Sequence, residues 1–156
     1  MVILGISLGT TTVGIAVMNE NELVTYNTHS FRAIWSECKA EAIIARLLEY
    51  IIRYRVQVVA IKLPPETHQP VTVTHLFHQL REQCTYHGCM VQTCTKAQLK
   101  RSLPGVSNTS DLMRYVAQHH PALVPQYEQS LKRKNQYHKR IFEAVIAAHM
   151  YDKKRG

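Results

Sequence analysis

VILGISLGTTTVGIAVM, residues 2–18, is the stretch on which the fold turns. From Val2 to Leu8 only Ser7 is polar, so VILGISL predicts a strand buried on both faces. GTTT at 9–12 is a turn by composition, and VGIAVM at 13–18 predicts a second buried strand. NEN at 19–21 makes another short turn, and ELVTYNTHS alternates in character from Leu23 to Ser30. Two turns of only a few residues force three strands into an antiparallel meander.

Beyond the meander the period changes. Ala40, Ile43, Ile44, Leu47, Leu48, Ile51 and Ile52 recur at three-to-four spacing, which predicts a helix from about Glu37 to Tyr54. VQVVAIKL at 56–63 predicts an interior strand, stopped by Pro64-Pro65. A helix from about Val71 to Tyr86, ended by Gly88, leads to a fifth strand, CMVQTC at 89–94. Strands alternating with helices must run parallel. The remainder predicts helices at 96–103 and 110–120 and one long helix from about Gln126 to Lys153, with Asn108 to Asp111 supplying N-cap chemistry. The expected architecture is α/β: a mixed five-stranded sheet flanked by helices, with a helical C-terminal region, all in one domain, 1–156.

Composition fits that reading. Of 156 residues, 46% are hydrophobic and 19% charged, enough apolar mass for a core without disulfides. No apolar run approaches the ~20 residues of a membrane span and no signal segment opens the chain, so no membrane partner and a cytoplasmic location are expected. The net charge of +8 is uneven. Residues 1–100 carry nine basic and seven acidic side chains, whereas 101–156 carry ten and four. Such a basic half either attracts a polyanion, most often nucleic acid, or is simply a solvated surface. Only two acids are aspartates, Asp111 and Asp152, which leaves little for a nuclease built on several Asp ligands.

Cys38, Cys84, Cys89 and Cys94 lack C-x-x-C spacing and are expected as buried, reduced thiols. His75 and His78 share a helix face and His119-His120 end another helix, but neither pair has a third ligand nearby in sequence, so no metal is expected there. No Gly-Lys-[Ser/Thr] follows Gly9 or Gly14, which excludes a P-loop.

GISLGTTTVGIAV resembles the first hairpin of the RNase H-like superfold, in particular the RuvC family of Holliday junction resolvases, where a strand ending in Asp meets a Gly-Thr turn. VVAIKLPP resembles that family's central strand, in which a Glu follows the apolar run. KAQLKRSLPG is similar to its P-x-x-V-K-x-[AS]-[LV]-x-G helix, and RIFEAVIAAH to a final helix bearing D-A-x-A-I-A. The four segments span nearly the whole chain in order. A Gly-Thr-Thr turn also occurs in actin-like ATPases and sugar kinases, but those need two such domains. The shorter YqgF family carries less of the C-terminal helical region.

The resemblance implies a magnesium-dependent endonuclease, a homodimer, and four carboxylates around two metal ions. Here the first-strand Asp falls on Ser7, the central-strand Glu on Lys62, and the last-helix acids on Arg140 and Glu143. A site of charge −4 becomes one of +1. At ~5 Å and an effective dielectric of ~20, a single Lys opposes a divalent ion by roughly 6–7 kcal/mol before screening. Lys62 is therefore expected to pair with Glu143, and no cofactor is expected. Magnesium enters only if a site is rebuilt from Glu66, Glu143 and a histidine, His138 or His149. What can survive is binding: Lys96, Lys100, Arg101, Lys132, Arg133, Lys134 and Lys139 supply phosphate contacts, with Tyr137 and His138 placed to stack on bases. The expected function is a non-cleaving, RuvC-like binder of branched or structured DNA. The alternatives are a nuclease with a relocated site and an interaction module without nucleic acid.

Overall fold

The computed structural model describes residues 1–65, 70–133 and 138–155, and within them all side chains but those of 133 and 152–155. β1 (Val2–Ser7) pairs antiparallel with β2 (Thr12–Asn19), which pairs antiparallel with β3 (Glu22–Ser30). The β2–β3 turn holds Glu20 and Asn21 at φ of 49° and 68°, the left-handed pair that matches strand twist in a tight hairpin. Ser36 caps α1 (Glu37–Arg53), its hydroxyl accepting the Lys39 N–H at 3.1 Å. α1 leads to β4 (Val58–Leu63), parallel to β1, and α2 (Val71–Tyr86) leads to β5 (Met90–Thr95), parallel to β4. The sheet order is β3-β2-β1-β4-β5, the expected mixed five-stranded sheet.

Among the described residues four α-helices follow, α3 (Lys96–Arg101), α4 (Thr109–His119), α5 (Val124–Arg133) and α6 (Lys139–Arg155), with a 3-10 turn at Pro121–Leu123 between α4 and α5. Thr95 and Gln98 close a capping box on α3, and Asn108 caps α4 through the Asp111 N–H at 2.8 Å. The stretch expected as one helix from Gln126 to Lys153 is two, α5 and α6. Within the stretch expected as one helix, 134–137 lie outside the described residues, and His138 just before α6 is a turn residue. No helix among the described residues is long and apolar enough to cross a membrane.

Strand alternation sorts the core into two layers. Leu4, Ile6, Val13, Ile15, Val17, Val59 and Ile61 face α1 and α2, meeting Ile43, Leu47, Leu76 and Leu80. Ile3, Ala16, Met18, Val58 and Ala60 face the other way, against α6, with α3 and α4 behind it. α6 is buried nearly all round from Ile141 to Ala148 and lies unusually close to the sheet. Glycine makes room for it. A Cβ on Gly5 would fall on the Ala144 carbonyl oxygen, and one on Gly14 would run into the Arg140 backbone, 2.6 Å from its Cβ. Cys84, Cys89 and Cys94 are buried free thiols as expected, but Cys38 is exposed, because its position in the first turn of α1 faces away from the sheet. Burial pushes the Cys84 thiol up to about 12 and raises that of Cys89 as well.

Candidate functional site

Ser7 ends β1, and the register sets Lys62 of β4 beside it on one flank and Gly14 of β2 on the other. All three point to the α6 face by alternation. Since Gly14 has no side chain, the first turn of α6 can settle there and bring Arg140 and Glu143 over Ser7 and Lys62. The four positions that the family resemblance singles out therefore converge on one spot.

Glu143 is its centre and is 1% exposed. The Ser7 hydroxyl donates to Oε1 at 3.0 Å, and the Lys62 ammonium lies 3.3 Å from Oε2. Lys62 sits off the hydrogen-bonding direction, so Oε2 has charge compensation but no aligned hydrogen bond among the described residues. Arg140 completes the group. Its Nη1 donates to the Ser7 hydroxyl at 3.4 Å and to the Leu8 carbonyl at 3.3 Å, while the guanidinium lies against Gly9, where a Cβ would come within 2.8 Å of Nη2. Burial holds Arg140 below its ordinary pKa, and only the Glu143 charge opposes that shift.

This donor set does not fit a divalent metal. Mg2+ takes anionic oxygens and gives up its waters reluctantly. Here a neutral hydroxyl and one carboxylate face an ammonium and a guanidinium, and the carboxylate is already engaged on both oxygens. Glu66 lies outside the described residues. His149, one of the two histidines considered for a rebuilt site, brings its Nε2 within 2.9 Å of His120 Nε2. The six residues from Glu143 to His149 fall about 120° short of two full helical turns, so the two side chains leave α6 in different directions. Among the described residues, no three His, Cys, Asp or Glu side chains gather as a metal site would need.

More cations surround the cluster. Lys96 opens α3, Lys139 opens α6, and these helices pack together. Lys96 is half-buried, and its pKa falls to about 8: burial is the main cause, followed by hydrogen-bonding contact with Lys139 and the charges of Lys139 and Lys100, with Glu143 pulling the other way. Lys96 thus shares its electrostatic surroundings with Lys100, Lys139 and Glu143. Arg101 and Lys132 are exposed on α3 and α5, and no described contact ties either to this group. The side chain of Arg133 is not described, and Lys134 and Tyr137 lie outside the described residues. Lys96 and Lys139 stand in two basic segments more than forty residues apart in the sequence. Only the packing of α3 on α6 brings the two helices that carry them together.

A mixed five-stranded sheet in this order, flanked by helices, is a RuvC-like, RNase H-like fold. Solved structures match it along nearly their whole length, among them two of one protein. Thermus thermophilus RuvC in complex with a Holliday junction substrate superposes with a TM-score of 0.75 at 19% identity, covering 99% of this chain and 96% of the other. A second structure of Thermus thermophilus RuvC gives 0.74 at 17% identity, covering 99% and 97%. No protein-family model and no curated protein matches the sequence significantly.

Proposed function

We propose that this chain binds branched or structured DNA and holds it without cutting, acting as a homodimer whose paired sites suit a two-fold symmetric junction. The observation that carries the proposal is the internal ion pair. Lys62 and Arg140 occupy the ground around Glu143 where a hydrolytic metal centre would need further acids, and the cations around it extend the same positive field outward. A buried carboxylate engaged by Ser7 and Lys62 is in no position to activate water. A cluster of ammonium groups at the surface of a basic domain attracts phosphates without regard to base sequence. The full-length likeness to a RuvC that is solved with a Holliday junction substrate supports DNA of that shape as the ligand.

Fluorescence anisotropy with a labelled four-way junction and a linear duplex of the same length tests the binding. The junction is expected to bind more tightly. Its affinity should fall about tenfold between about 50 and 200 mM salt for every two phosphates engaged. No binding to either DNA at low salt would overturn the proposal in favour of an interaction module.

A further inference from the structure

Arg140 is held by one end of its guanidinium. Nη1 donates to the Ser7 hydroxyl at 3.4 Å and to the Leu8 carbonyl at 3.3 Å, both neutral acceptors. Ser7 in turn donates to Glu143 Oε1 at 3.0 Å, and Lys62 lies against the other oxygen of that carboxylate. Arg140 therefore forms no ion pair of its own among the described residues, although burial already holds its pKa down. Its Nε and Nη2 donate to no described acceptor, and neither atom is sealed from solvent. Their N–H groups lie side by side on one edge of the guanidinium plane, the edge that forks onto two oxygens of one anion. Gly9 makes the placement possible: a Cβ there would come within 2.8 Å of Nη2 and 3.0 Å of Cζ, so the guanidinium can lie against the β1–β2 turn. That turn reaches the surface, with Thr11 exposed.

We infer that Arg140 clamps one phosphodiester of the bound DNA with its Nε and Nη2 edge, one donor on each non-bridging oxygen, beside the Ser7–Lys62–Glu143 cluster. This rests on the DNA-binding reading above and makes it specific: a residue that stands where the family resemblance places an acid takes hold of the backbone directly. The fork offers donors only, so its ligand is an anion. Because Ser7 and Leu8 fix the other end, little side-chain freedom is left to lose when the phosphate arrives. Free inorganic phosphate presents the same oxygens, so the test separates the two sources.

Salt titrations of junction affinity decide the matter for wild type, Arg140→Lys and Arg140→Gln, with thermal melts to establish that each variant folds. Arg140→Gln is expected to bind about tenfold more weakly for each site engaged. It should also lose about 0.9 per protomer from the slope of log affinity against log salt, one phosphate's share. Arg140→Lys keeps the charge but not the fork, so it should keep the slope and still bind several-fold more weakly. Wild-type affinity in either variant would overturn the clamp. So would weaker binding by Arg140→Gln at an unchanged slope, which would mean that Arg140 acts through the fold alone. Should Arg140→Gln not fold, the Arg140 Nε–H resonance of nitrogen-labelled wild type decides: it is expected to shift downfield as junction is added, and a resonance unmoved at saturation would overturn the clamp. None of these failures touches the DNA-binding reading, which falls only if wild type binds neither DNA. Inorganic phosphate at millimolar concentration and constant ionic strength is expected not to displace the junction. Displacement from wild type that Arg140→Gln abolishes would assign the fork to free phosphate and overturn the inference.

Discussion

Glu143→Gln is expected to cost about 3–5 kcal/mol of unfolding free energy, a fall in Tm of about 10 °C for a chain this size. The amide keeps the shape of the carboxylate and can still accept from Ser7, so the loss is one of charge. It leaves Lys62, 10% exposed, without its ion-pair partner and the half-buried Arg140 without the negative charge that opposes its desolvation. Lys62→Met alone is also expected to destabilise, because it strands a carboxylate that is 1% exposed. The double variant Lys62→Met, Glu143→Gln should recover most of either loss, since a buried pair exchanged for neutral residues of similar volume is often no worse than the pair itself. Thermal and urea melts of the four proteins give the coupling directly. Additive losses would show that Lys62 and Glu143 do not depend on each other.

Gly5→Ala and Gly14→Ala should be comparably severe, each costing about 3 kcal/mol or more. The new methyl group meets backbone in both cases, the Ala144 carbonyl for Gly5 and the Arg140 carbonyl for Gly14, and backbone cannot swing aside as a side-chain tip can. α6 would have to lift off the sheet, and with it Arg140 and Glu143. Gly88→Ala is the control: it meets open space at φ +79°, so its cost is only the left-handed backbone penalty of about 1–2 kcal/mol. Similar Tm losses at all three positions would show that close approach of α6 is not what these glycines serve.

The meander was legible because VILGISLGTTTVGIAVM has one reading as strand, turn, strand, and the three-to-four spacing of α1 has one reading as a helix. The substitution of Ser7, Lys62 and Arg140 for acids was legible once four dispersed segments resembled one family, and the Lys62–Glu143 ion pair is present in the structure at 3.3 Å. Other features depend on tertiary packing. Gly5 and Gly14 look like ordinary small residues in strands until α6 is laid across them. The helices that carry Lys96 and Lys139 come together only in the packing of α3 on α6, which no local period reveals. The separate start of α6 at Lys139 was hidden because apolar spacing resumes at Ile141, as it would in one helix from Gln126 to Lys153.

Whether positive charge has replaced metal at this site is tested most directly by incubating a labelled four-way junction with the protein in Mg2+ or Mn2+ and resolving the strands on a denaturing gel. The account predicts junction that is bound and uncut in either ion. Metal-dependent cleavage by the wild-type protein that disappears in the Lys62→Met, Glu143→Gln variant would contradict it.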